Sequence, residues 1–226
     1  EMLWIYQAQS NDVRWLQERN VHIWDKWEIN ENGDWIDENT GKVLKHFDPN
    51  LAHTIGTAYG YIVKKYDLMN KLLNSLKYDK EDRRRVISLW QDSELDTAVL
   101  PSCVWSSEWD VTDGKLNIWV HQRSCDVPLG LPFNVTQYAV LLMMVAQVTG
   151  LEPGTIDWSI KDAHIYVNQI DGIKEQLNRY ETKGSLPAPK LWLNPEIRDF
   201  YDFDPKEDVK LVGYEHMGKI CFPLAQ

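Results

Sequence analysis

The chain has 226 residues, 43% of them hydrophobic, and a formal net charge of −10. That length supports one large domain with a substantial core, and the apolar share excludes a largely disordered chain. The acidic balance argues against general nucleic-acid binding and against an anionic membrane surface, both of which need a basic face.

Eleven tryptophans imply rings used as core or pocket walls. Cys103, Cys125 and Cys221 show no paired spacing, which fits reduced thiols in a cytosolic protein better than a disulfide framework. In chain order, residues 1–19 read as helix, because Leu3, Trp4, Tyr6, Val13, Trp15 and Leu16 recur at nearly helical spacing. The run begins amphipathic, without a cap or an initiator methionine, so an N-terminal segment is expected to be missing. Glu28 to Ala52 is acidic with Asn-Gly and Thr-Gly turn signals, and reads as a loop with a short hairpin, an insertion over 28–55. Residues 61–77 predict an amphipathic helix with Ile62, Tyr66, Met69, Leu72, Leu73 and Leu76 on one face.

Arg85 to Trp90 reads as a strand and 92–98 as a short helix. Asp113-Gly114 between Val104–Val111 and Lys115–Arg123 is a hairpin signal. Residues 135–149 are apolar nearly all round, which predicts a helix buried at the centre and stopped by Gly150. Its apolar run, Tyr138 to Val148, is too short to cross a bilayer. Trp158–Val167 reads as strand, Gln169–Arg179 as helix, and Lys190–Asn194 and Val209–Tyr214 as late strands. Helices and hairpin-linked strands without regular alternation point to α+β, a single domain over 1–226.

The chemistry concentrates at 120–134, Val-His-Gln-Arg-Ser-Cys-Asp-Val-Pro-Leu-Gly-Leu-Pro-Phe-Asn. Arg123 and Ser124 suit a phosphate, Asp126 a polar ring and Asn134 a base edge. Asparagine offers one acceptor and one donor, which suits a base edge presenting both, although an amide can flip. Cys103 follows Leu100-Pro101-Ser102, where a proline can expose the next side chain, yet a free cysteine is more often a small buried hydrophobe. Strand alternation puts His164 and Tyr166 on one face. The triplet Arg83-Arg84-Arg85 reads on its own as a solvated turn. No metal-ligand spacing, Walker loop or Gly-x-Gly-x-x-Gly occurs.

The 120–134 run, Leu-Pro-Ser-Cys at 100–103 and Asp-Ala-His-Ile-Tyr at 162–166 together resemble the signatures of thymidylate synthases. The stretch from Asn168 to Phe222 resembles the Bacillus-type branch, as does Val104 where most members carry histidine. The resemblance implies a thymidylate synthase-like fold, with a mixed, twisted sheet at a homodimer interface and a central buried helix. It implies a cytoplasmic methyltransferase that converts dUMP to dTMP with 5,10-methylenetetrahydrofolate as carbon and hydride donor, and no metal.

The implied roles follow residue by residue. Cys103 is the nucleophile, Arg123 lowers its pKa, Glu1 organises water near the base O4, and Tyr59 lies near the C5 proton. Arg123 and Ser124 hold the phosphate from their own subunit, while Arg84 and Arg85 reach across the dimer into the neighbouring site. Asn134 reads the base; His164 and Tyr166 bind the ribose hydroxyl. Ile23, Trp24, Trp27, Leu100, Leu129 and Phe133 wall the folate pocket, and Asp126 anchors the pterin. In that family the last residues close over the ligands. Two rivals stand: a dUMP or dCMP hydroxymethylase of the same fold, and a truncated nucleotide-binding protein with little turnover.

Overall fold

The N-terminal apolar run does not form one long helix. In the structure, a computed structural model describing residues 1–224, Leu3–Gln7 winds as a π-helical turn and α1 (Arg14–Gln17) adds a single turn. Ala225 and Gln226, part of the end expected to close over ligands, lie outside the described residues. Burial causes the break. Trp4, Ile5 and Tyr6 are consecutive and all buried, as are Val13 and Leu16, which is more than one face of a straight helix can hide. Gln9 takes a positive φ of 49°, and the Trp4 indole N–H closes the bend on Asp12 O at 2.9 Å.

Inside the segment read as an insertion, β1 (Asp34–Ile36) and β2 (Val43–His46) form the expected hairpin. Fully buried Ile29 ties it down, with its N–H on Thr54 O and its carbonyl accepting from His53 N–H. The single helix expected over 61–77 is two, α2 (Gly60–Lys65) and α3 (Leu68–Tyr78). Asp67 between them is left-handed at φ 52°, and the turn lets both apolar faces, Ile62-Val63 and Met69-Leu72-Leu73-Leu76, reach the same core.

β3 (Val86–Ser88), β4 (Val104–Thr112) and β5 (Lys115–Gln122) pair antiparallel in that order. Asp113 and Gly114 close the β4–β5 turn with φ of 51° and 77°, the conformation a tight hairpin requires. After the short β6 (Cys125–Asp126), α4 (Gly130–Thr149) carries the chain back to β7 (Glu152–Ile160), which lies parallel to β5. Parallel neighbours need such a crossover. The sheet β3-β4-β5-β7 is therefore mixed, as expected.

The strand expected over 158–167 starts earlier and splits, because the chain bends at Lys161-Asp162. β7 ends at Ile160, and β8 (Ala163–His164) pairs with β6 instead. α5 (Ile170–Lys183) and the antiparallel pair β9 (Lys190–Leu193) and β10 (Val209–Val212) complete the described chain.

Alternation divides the sheet's two faces. Leu116, Ile118, Val120 and Gln122 of β5 are buried on one side, whereas Trp105 and Trp119 stand 38% and 48% exposed on the other. α4 begins at Gly130 rather than at 135, and by length and composition it could cross a membrane, which corrects the expectation drawn from its inner run. Here its later turns are core, burying Leu141, Leu142, Met144, Val145 and Ala146, while its first turn leaves Phe133 57% exposed.

Candidate active site

Cys103 sits where the chain enters β4, and Arg123 sits where it leaves β5, so the hairpin brings them side by side. The Arg123 N–H donates to Cys103 O at 2.9 Å. Its guanidinium donates to Ser102 O at 3.1 Å and Pro101 O at 2.7 Å, and Nη2 lies 3.9 Å from Cys103 Sγ. One side chain thus clamps the loop and presents positive charge to the sulfur. Burial nevertheless pushes the Cys103 thiol up, with Arg123 and the Tyr59 hydroxyl pulling the other way. The expected lowering by Arg123 is present as a direction, but desolvation of the thiol outweighs it.

Tyr59 is buried, and its hydroxyl accepts the Cys103 backbone N–H at 3.0 Å. Burial first, and then the neighbouring Cys103, raise its pKa well above the usual phenol value, so it is a neutral hydroxyl. Its backbone occupies a sparsely populated region, φ 49° and ψ −107°. The flanking glycines hold it there. A Cβ at Gly56 would stand 2.0 Å from Thr97 O, and one at Gly60 2.0 Å from Ser10 O.

Glu1 accepts the Trp24 indole N–H at 2.8 Å, and Gln137 of α4 donates to its other oxygen. Trp24 packs edge-on against Tyr59 and against Trp27, each at 5.3 Å. Ile23 is 44% exposed, and Leu100 and Leu129 are half-buried, so apolar surface is left uncovered on the elements that carry the polar cluster.

The Asn134 amide is held by a chain of donors. Trp158 Nε1 donates to Gln122 Oε1 at 3.0 Å, and Gln122 Nε2 donates to Ser124 O at 3.0 Å and Asn134 Oδ1 at 3.1 Å. An indole N–H can only donate, so each amide downstream has one orientation. That removes the flip ambiguity at Asn134 and leaves its Nδ2 as the free donor.

Asp126 accepts from Leu129 N–H at 3.1 Å and from Gln169 Nε2 at 2.8 Å. Through the β6–β8 pairing it lies opposite His164, whose ring meets Tyr166 edge-to-face at 5.0 Å. Tyr166 reaches this position from the turn beyond β8, not from a strand. His164 Nδ1 is buried without a hydrogen bond; Asp162 approaches at 3.5 Å without bonding geometry.

Arg84 and Arg85 part company. Arg85 is 4% exposed, donates to Ser75 Oγ at 2.8 Å and to Asp79 O, and serves its own subunit's interior. The reason is alternation: Arg85 and Ile87 face inward, Arg84 and Val86 outward. The expectation that Arg85 crosses to a neighbour is corrected accordingly, and Arg83 and Arg84 are the exposed members. Arg85 O accepts from Trp109 N–H, five positions beyond Val104 on β4. Arg84 is therefore roughly 20 Å along the sheet from its own Cys103. Among the described residues, no group of three His, Cys, Asp or Glu is placed to hold a metal ion.

A family model described as thymidylate synthase matches residues 1–226. The chain belongs to the thymidylate synthase family. It is 50% identical over 216 residues to a thymidylate synthase of Clostridium beijerinckii, covering 96% of this chain and 73% of that one. Thymidylate synthase 1 of Bacillus subtilis strain 168 is 41% identical over 234 residues, covering 100% of this chain and 75% of its own. The solved thermostable thymidylate synthase A from Bacillus subtilis superposes with a TM-score of 0.83 at 39% identity, covering 99% and 74% of the two chains.

For this thymidylate synthase family member, sequence reasoning missed Gln122, Trp158, Gln137 and Gln169. Gln122 had a signal: a glutamine at the core-facing position of a strand whose other inward residues are Leu116, Ile118 and Val120. A buried amide needs partners, and here the partners define the site.

Proposed function

We propose that this chain catalyses the reductive methylation of dUMP to dTMP with 5,10-methylenetetrahydrofolate as co-substrate, and that Cys103 is its nucleophile. Membership of the thymidylate synthase family supports the reaction, and the names of the relatives favour it over the hydroxymethylase. The observation that carries the residue assignment is the meeting of Cys103, Arg123 and Tyr59 at the mouth of the β4–β5 hairpin.

Uracil C5 is a poor nucleophile. Addition of the Cys103 thiolate to C6 makes the ring an enolate, with charge on O4 and nucleophilic character at C5. Asn134 Nδ2, with its direction set by Gln122, donates toward O4, and Oδ1 accepts N3–H. Tyr59, held neutral, orients water by its hydroxyl near the C5 proton, and Glu1 arranges water near O4. Arg123 and Ser124 take the phosphate, and its charge is then shared with the guanidinium beside the sulfur. His164 and Tyr166 hold the ribose. The folate supplies the one-carbon unit and the hydride. Trp24, Trp27 and Phe133 suit its flat rings, and Asp126, with both oxygens already oriented by protein donors, suits the pterin.

The functional unit in this reading is a cytoplasmic homodimer. The exposure of Trp105 and Trp119 supports the outer sheet face as its interface, and the distance of Arg84 from its own Cys103 suits phosphate binding in a partner's site. Arg83 takes the second place first given to Arg85.

Incubation with methylenetetrahydrofolate and either dUMP or dCMP, followed by dihydrofolate absorbance, tests the reaction. A rise with dUMP alone is expected. Hydroxymethylated nucleotide without dihydrofolate would establish the hydroxymethylase, and nucleotide affinity without product would establish a binding protein.

A further inference from the structure

Gln169 is fully buried and hydrogen-bonds to three separate parts of the molecule. Its Oε1 accepts the Tyr166 backbone N–H at 3.1 Å. A backbone N–H only donates, so the amide has one orientation and Nε2 is its donor end. One hydrogen goes to Asp126 Oδ2 at 2.8 Å and the other to Pro223 O at 3.3 Å. The side chain stands between the Tyr166 turn, the Asp126 carboxylate and the C-terminal segment.

That segment is seated on α5 by two further devices. Arg179 Nη1 donates to Met217 O at 3.0 Å and to Gly218 O at 2.8 Å. Gly172, inside α5, makes room for Phe222, since a Cβ there would stand 2.5 Å from the Phe222 ring and 3.3 Å from Ile220. Glycine is unfavourable within a helix; the close seating of Phe222 is what it provides here.

We propose that Gln169 is a positioning residue that couples seating of the 217–224 segment on α5 to the orientation of the Asp126 carboxylate, and so to folate binding. The inference rests on the reading of Asp126 as the pterin anchor. Leu129 N–H fixes one carboxylate oxygen and Gln169 the other; the Tyr166 N–H sets which end of the amide donates, and Pro223 O takes its second hydrogen, which ties the amide's position to the segment. Coupling of this kind is reciprocal, so a ligand on Asp126 strengthens seating of the segment by the same factor.

Gln169→Glu keeps the shape and the acceptor for Tyr166 but removes the donor and sets a second carboxylate against Asp126. Dihydrofolate binding to the dUMP complex, read by tryptophan fluorescence, should weaken on the order of tenfold at about pH 8. It should recover as the pH falls toward about 6, because two carboxyls in contact share a proton and the protonated form donates again. Trypsin cleavage after Lys219 should quicken in parallel. Gly172→Ala raises helix propensity, so the fold is retained while Phe222 is displaced. It should speed the same cleavage and weaken dihydrofolate binding several-fold, and adding Gln169→Glu should cost little more.

Wild-type affinity in Gln169→Glu, a loss that ignores pH, or effects of the two variants that simply multiply would overturn the coupling. If Gln169→Glu fails to fold, Gly172→Ala decides alone: faster cleavage with unchanged dihydrofolate affinity refutes it. Asp126→Asn with unchanged dihydrofolate affinity would instead refute the pterin assignment, while cleavage after Lys219 still reports the Gln169 contact.

Discussion

At the scale of single residues, the site is an arrangement of donors with fixed direction. Cys103 is a thiol held protonated by burial, with Arg123 opposing. Alkylation of Cys103 by iodoacetamide, followed in a Cys221→Ser background, should therefore rise with pH through a midpoint above that of an ordinary cysteine thiol. Arg123→Gln removes the charge that favours the thiolate, so the midpoint should move further up and alkylation at about pH 8 should slow. A midpoint moving down would show that the guanidinium does not act on the sulfur. Asn134 depends on its neighbours in the same way. Trp158→Phe deletes the donor that orients Gln122, and discrimination between dUMP and dCMP, measured as a ratio of kcat/KM, should fall about tenfold. Preserved discrimination would mean that Asn134 keeps its direction without help. The sequence exposes Cys103, Arg123 and Asn134 because their chemistry is unusual for their positions. It hides Gln122 and Gln169 because a glutamine carries no mark of burial until its strand or turn is placed.

Among elements, legibility followed local pattern. The Asp113-Gly114 hairpin, α5 and the late strands were readable from turn residues and periodicity within a few positions. The breaks were not. Residues 1–19 and 61–77 keep nearly helical spacing of their apolar residues, yet each is interrupted, at Gln9 and at Asp67, so that its apolar side chains face one core from two directions. These interruptions build the site, because the bend at Ser10 receives Gly60 and lets α2 start directly after Tyr59. Gly60→Ala should destabilise the protein by roughly 3 kcal/mol, since its new Cβ meets backbone rather than a flexible side chain. Urea unfolding would measure this, and a change within about 0.5 kcal/mol would mean that the bend is free to move.

For the whole molecule, the mixed sheet does two jobs on two faces. The inner face packs α4 and carries Gln122 toward the site; the outer face leaves Trp105 and Trp119 exposed, and is the face proposed for a second copy. The α+β class was readable from the order of elements, whereas the split of Arg85 from Arg84 required the register of β3. Mixing Arg84→Ala protein with Cys103→Ala protein, after dissociation and reassembly, should restore activity to about a quarter of wild type. Random pairing makes half the dimers hybrid, each with one intact site. No recovery at any ratio would place every phosphate contact within one chain.

The span of sheet between Arg84 and its own Cys103 has a consequence for heredity. If an active centre is completed by a neighbour, two alleles that are each silent alone can rescue one another in a single cell. An allele damaged at both positions does the reverse: it enters hybrid dimers, contributes neither half, and lowers the output of an intact copy. The severity of a lesion would then depend on which other copy it meets.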